Sequence, residues 1–184
     1  MLRPNKDKTM NLGKLITTEL RRLGTAQHHG EGVRTFTLGG TDGMPVVRLE
    51  LADLDRYSAA LHRITVGAAF EPPASHEAAR TQLSSIAQAV IEQLDYLEEP
   101  LAVVESDAVE GASQVRSNPP QRDENELSYW EVLLNLSSEP GASLTRYRWA
   151  PELPEREVQP YPVAFAHLGR IAESLAAALR APTL

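Results

Sequence analysis

Residues 127–136, Leu127-Ser128-Tyr129-Trp130-Glu131-Val132-Leu133-Leu134-Asn135-Leu136, decide the fold class. Trp130, Val132 and Leu134 fall on every second residue, the period of a pleated strand with one face in a core. Tyr129, Glu131, Leu133 and Asn135 take the other face, which is therefore only partly polar. A strand with one dry face needs a covering layer, and helices supply it when the sheet is antiparallel and its second face is open.

Outward from this strand, Ser143 to Trp149 reads as its neighbour beyond the turn formers Pro140 and Gly141. Upstream, Leu101 to Val104 and Ala112 to Arg116 are further strands, with Gly111 before the latter and Asn118, Pro119 and Pro120 after it. In the first half, Val33 to Leu38 and Val46 to Leu51 flank a loop carrying Gly39, Gly40, Asp42 and Gly43, a hairpin signal. Tyr57 to Val66 follows as a third strand, although Ala59, Ala60 and Leu61 also tolerate a helix. Three segments have helical periodicity instead. Leu12, Leu15, Ile16, Leu20 and Leu23 form one stripe within residues 10–23, ended by Gly24. Ser75 caps a long helix running to Leu97 and closed by Pro100, and Leu168, Ile171, Ala172, Leu175 and Leu179 share a face of a last one over residues 163–179. Pro151, Pro154, Pro160 and Pro162 keep the tract between from being helix or interior strand, so it is expected to cross the surface as an extended connection.

The expected fold is α+β: a two-layer antiparallel sheet with helices on one face, in the order α-βββ-α-βββ(β)-α. A shift of 85 residues places Val47, Leu49 and Leu51 on Val132, Leu134 and Leu136, Ile64 on Trp149, and Leu83, Ile86, Ala87 and Leu94 on Leu168, Ile171, Ala172 and Leu179. This echo suggests pseudo-repeats over about 33–97 and 112–182, with Leu83, Ile86, Leu168, Ile171 and Trp149 all buried. A single domain over 10–184 is expected, with residues 1–9 a disordered extension and Met10 an alternative start.

The 184-residue chain has no cysteine, which removes thiol catalysis, cysteine-based zinc and iron–sulfur sites and disulfides, and fits the cytoplasm. Its 18 Lys and Arg against 25 Asp and Glu give a net charge of -7, which repels nucleic-acid phosphates. The apolar residues after Arg3, Lys6 and Lys8 are interrupted by Lys14 and Glu19, so neither a signal peptide nor a membrane span is expected.

No catalytic signature is found. His28 and His29 are adjacent in a glycine-flanked loop, where neighbouring side chains on an extended chain point apart and do not readily chelate one ion. His62, His76 and His167 lack zinc-ligand spacing. Asp53, Asp55, Asp95, Glu98 and Glu99 lack the alternation of a calcium loop and are read as solvated charges at turns and a helix end. Ser143 follows Gly141 but no glycine follows at 145, so the hydrolase elbow is absent, and glycines 39, 40 and 43 lack the Lys-Ser/Thr of a phosphate loop. Neither a metal nor a cofactor is called for, and an enzyme is the least favoured reading.

The one cluster with binding chemistry is Arg116, Tyr129, Arg146 and Arg148. If Trp130, Val132, Leu134, Tyr147 and Trp149 face the helices, these arginines join Tyr129 and Glu131 on the open face, where forked guanidinium groups would suit an acidic or carboxylate-bearing partner. Cross-strand pairing with Glu131 is the ordinary alternative.

The element order, modest size and acidity together resemble the type III secretion chaperone-like fold and the YbjN-type proteins that share it, over nearly the whole chain. The second half has one or two strands more than that pattern, and no functional residue carries over. The resemblance implies a non-enzymatic binding or adaptor protein, often dimeric, whose sheet and grooves hold segments of a partner protein. A small-molecule-sensing regulatory module is the alternative. A homodimer is also expected because Tyr129 and Leu133 need cover, either from residues 151–162 or from a second copy.

Overall fold

The helical stripe near the amino terminus forms α1 (Leu12–Thr25), which buries Leu12, Ile16 and Leu20 along one side. The computed structural model to which this helix belongs describes residues 11–25, 32–41 and 43–182. The expected extension over 1–9, Met10, the His28-His29 pair and Asp42 lie outside the described residues. α2 (His76–Gln93) starts as its sequence dictates: the Ser75 hydroxyl accepts a hydrogen bond from the Ala78 amide at 3.1 Å, satisfying one of the first-turn donors. α3 (Phe165–Ala178) is the most apolar of the three and is buried along most of its length.

Among the described residues, ten strands form one antiparallel sheet: β1 (Arg34–Gly39), β2 (Val46–Leu54), β3 (Ser58–Gly67), β4 (Leu101–Asp107), β5 (Ala112–Ser117), β6 (Gln121–Asp123), β7 (Glu126–Asn135), β8 (Gly141–Trp149), β9 (Glu157–Val158) and β10 (Tyr161–Ala164). The third strand expected over residues 57–66, where the sequence also tolerates a helix, is β3 over Ser58–Gly67. The path across the sheet is β1-β2-β3-β8-β7-β5-β4, so two meanders, one from each half of the chain, meet at β3 and β8. Helices and core lie on one face. Val47, Leu49 and Leu51 of β2, Ile64 and Val66 of β3, Leu144 of β8 and Trp130, Val132 and Leu134 of β7 are buried beneath α1, α2 and α3.

The central seam is short. β3 and β8 pair only over Ile64–Gly67 and Gly141–Leu144, after which they part. Gly141 makes the closure possible: its φ is 156°, and a Cβ there would stand 2.3 Å from the Val66 carbonyl oxygen. The gap that opens is filled by the proline-bearing tract. β9 pairs with Tyr147 and Arg148 of β8, and β10 pairs with Ser58–Leu61 of β3. This segment is thus more than a surface crossing. Pro162 is tolerated in β10 because that strand is paired on one side only.

On the outer side, α1 and α3 cross at Gly13 and Gly169, where a Cβ on Gly169 would lie 2.8 Å from the Gly13 carbonyl oxygen. A carboxylate oxygen of Glu173 accepts a hydrogen bond from the Gly13 amide at 3.1 Å, so α3 helps cap α1 across 160 residues of sequence.

The register of β7 against β8 corrects one expectation. Trp130 lies opposite Arg146 and Tyr129 opposite Tyr147, so Arg146 and Arg148 take the Trp130 side, while Tyr147 and Trp149 take the open side. Trp149, expected in the core, is 39% exposed, whereas Leu83, Ile86, Leu168 and Ile171 are buried. The reason is parity: Leu144 is the core residue of β8, and period two carries Arg146 and Arg148 along with it. Of the pair that the 85-residue shift aligns, Ile64 is buried and Trp149 lies on the open side.

Candidate functional site

The four residues singled out in sequence are divided between the faces. On the helix side, Arg146 is buried and donates from both terminal nitrogens to Glu99, Nη1 at 3.2 Å and Nη2 at 3.0 Å, with a third bond from Nη2 to the Gln121 side-chain oxygen at 2.7 Å. Its guanidinium stands 5.2 Å from the ring centre of Trp130 and 5.7 Å from that of Tyr161. Glu99 is buried as well and accepts a further bond from the Ser117 hydroxyl at 3.2 Å, while the Ser117 oxygen accepts from the Trp130 amide at 2.8 Å. Glu98 accepts from the Trp130 indole at 3.1 Å and from the Tyr161 hydroxyl. Partial burial pushes the Glu98 carboxyl up, but the bonds from Tyr161 and Trp130 and the charge of Arg146 outweigh it and hold it below its ordinary value. Burial and the Glu98 carboxylate push the Tyr161 phenol up to about 12. Glu99, read in sequence as a solvated charge, is instead buried in a clamp that ties the segment after α2 to the sheet, while Glu98 beside it is exposed, as read, and adds its bonds to Trp130 and Tyr161.

Arg148, at the rim, makes paired bonds to Glu126, Nε to Oε2 at 2.7 Å and Nη2 to Oε1 at 2.5 Å. The bonds from Arg148 lower the Glu126 carboxyl below its ordinary value. Arg146 and Arg148 are therefore both engaged, and neither belongs to an open binding face.

The open face does hold Arg116 and Tyr129, where Arg116 makes the pairing with Glu131 that the sequence offered as the ordinary alternative, joined by Arg156, which the sequence did not single out. Glu131 is only 1% exposed although it lies on the face without helices, because side chains cover it. Arg116 reaches it through Nε at 2.6 Å, Gln114 at 2.9 Å and Arg156 through both terminal nitrogens at 2.5 and 3.1 Å. Arg156 comes from the proline-bearing tract just before β9. It also donates to the Tyr129 hydroxyl at 3.2 Å and lies 4.0 Å over the Tyr147 ring, and Arg116 lies 5.3 Å over the Tyr129 ring. Residues 151–162 thus provide the cover expected for Tyr129, but Leu133 stays 44% exposed.

Beside this cluster runs a groove of about 890 Å³, walled by Val103, Val104, Leu127 and Trp149, with Arg116 and Arg156 on its polar side. Val103 is 49% and Val104 54% exposed, so apolar surface and cationic groups meet in one trough. Elsewhere, His167 packs edge-on against Tyr96 with ring centres 5.5 Å apart. Among the described residues, no group of three or more His, Asp or Glu is placed to hold a metal ion. Among the same residues, no helix is long and apolar enough to cross a membrane. Asn135, which begins a glycosylation-like triplet, uses its side-chain oxygen locally, accepting from the Ser137 amide at 2.7 Å.

No protein-family model, curated protein or solved structure matches this chain.

Proposed function

We propose that this chain is a non-enzymatic binding or adaptor protein of chaperone-like fold, acting in the cytoplasm as a homodimer and holding a segment of a partner protein on the open side of its sheet. The observation that carries the reading is the groove beside Glu131, where half-exposed Val103, Val104 and Trp149 adjoin Arg116 and Arg156. Apolar surface gathered in a concavity, with a few oriented polar groups, is how proteins hold ligands without transforming them. Val103, Val104, Leu127 and Trp149 all sit on strands of the sheet, which suits recognition that does not require the site to rearrange.

Sensing of a small molecule is the second reading, favoured by a groove volume within the usual range for ligand pockets, roughly 300–1,000 Å³. Isothermal calorimetry of the purified chain against a library of short peptides and of small acids separates the two. Saturable peptide binding lost in Trp149→Ser supports the adaptor reading, and turnover of any probe overturns it. Sedimentation equilibrium at micromolar concentration tests the dimer: a mass near 20.2 kDa excludes it.

A further inference from the structure

We propose that Arg116 is the anion subsite of this groove and that the occupant is an extended, mainly apolar peptide segment bearing one carboxylate. The inference rests on the groove being the binding surface and names the chemistry that it selects.

The charge balance supplies the first argument. Two guanidinium groups, of Arg116 and Arg156, share the single buried carboxylate of Glu131. Arg156 spends both terminal nitrogens on that carboxylate, whereas Arg116 spends only Nε. The two terminal nitrogens of Arg116 make no hydrogen bond among the described residues, and its side chain is 31% exposed where it borders the groove. Two positive charges thus meet one negative charge at Glu131 itself, and the charge of Glu155, though it borders the groove, is not spent on either arginine in an ion pair among the described residues. Arg116 is held in place by the Nε bond and by the Tyr129 ring, so a planar fork stands ready for a carboxylate with little ordering left to do.

Shape supplies the second. The walls extend from β4 to β8, three strand spacings across the sheet, about 14 Å at roughly 4.8 Å each. An extended segment of about four residues covers that distance at ~3.4 Å per residue. A compact acid would fill the Arg116 end and leave Val103 and Val104 in water. Addition of a strand to the β4 edge is disfavoured, because β4 is irregular between Val103 and Glu105 and carries Glu105 and Asp107. The segment therefore lies on the face and is held by side chains.

The test follows the two indole N–H signals by nuclear magnetic resonance, assigned with Trp149→Phe. Trp149 borders the groove while Trp130 is buried, so the second signal is an internal control. The probes are acetyl-Leu-Glu-Phe-Leu-amide, its Gln counterpart, and 3-phenylpropionate. The Glu peptide should shift the Trp149 signal alone and bind roughly ten- to a hundredfold more tightly than the Gln peptide, the range for a hydrogen-bonded charge. Arg116→Gln should erase that difference and Arg116→Lys should retain part of it. Glu131 keeps Arg156 and Gln114 in both variants, and an unchanged Trp130 signal reports that the fold persists. Trp149→Ser, read by calorimetry, should weaken both peptides equally.

Equal affinity for the Glu and Gln peptides overturns the anion subsite while leaving the groove a binding surface. Binding of 3-phenylpropionate without either peptide overturns the peptide occupant and the adaptor reading together. Absence of binding by all three overturns the proposal.

Discussion

Replacing Arg146 by Met tests whether the helix-side clamp holds the fold. The substitution removes three hydrogen bonds and a cation from the Trp130 and Tyr161 rings, and it leaves the Glu99 carboxylate, 8% exposed, with the Ser117 hydroxyl as its remaining bonded partner. Removing one partner of a buried ion pair strands the other charge, at a cost of about 3–5 kcal/mol, far more than the net worth of the pair. The double variant Arg146→Met with Glu99→Leu removes both charges and should recover most of that loss, since apolar replacement of a buried pair is often neutral or better. In urea, with a slope of about 2 kcal/mol/M, the single variant should lower the midpoint by roughly 2 M at unchanged slope, and the double variant by well under half as much. The difference from additivity is the coupling between the two side chains. A single variant costing less than ~1 kcal/mol, or two single effects that simply add in the double variant, would refute the reasoning, because either result means that Glu99 reaches water when Arg146 is gone.

Other measurements bear on other parts of the molecule. Glu98 has a folded value below the 4.5 of a free carboxyl, so its stabilising contribution is present above that pH and is lost as the pH falls through the folded value. Glu98→Gln should accordingly lose less stability than the parent protein on acidification from neutral pH to below 4.5, followed by thermal melting. Gly169→Ala should destabilise by about 1–3 kcal/mol through forced separation of α1 and α3, seen by calorimetric melting; no change would mean that the crossing is looser than 2.8 Å implies. Acrylamide should quench Trp149 strongly in Trp130→Phe and Trp130 weakly in Trp149→Phe, and equal quenching would contradict the face assigned to each.

The sequence made the helices and the longer strands legible because burial follows period: Trp130, Val132 and Leu134 lie on one face, and the stripes of α1 and α3 fall where their spacing puts them. It misled at the carboxyl end of β8, where Tyr147 and Trp149 look like core and Arg146 and Arg148 look like surface. The parity of Leu144 held the correct answer. Yet the burial of Arg146 depends on Glu99, 47 residues away, and no local pattern encodes such a pairing. β9 and β10 have two and four residues, too few to display a period, and prolines surround them. Arg156 escapes the local pattern for the same reason, so one of the two guanidinium groups on Glu131 comes from a tract that reads only as a connection. Arg116 and Tyr129 were found because they sit on longer strands with a clear alternation.

The short seam between the meanders bears on how the protein is assembled. Each meander is made of neighbours in sequence and can form early, but β10 closes against Leu61 from a hundred residues downstream, and Glu173 reaches Gly13 from 160. Contacts of that separation are costly to close and slow a folding reaction. During synthesis, residues 58–61 of β3 therefore emerge long before the strand that pairs with them, and they present unpaired backbone groups in the interval. Such edges are where a nascent chain meets another copy of itself or a chaperone. The window for misassembly in this protein stays open until residues 157–164 have left the ribosome.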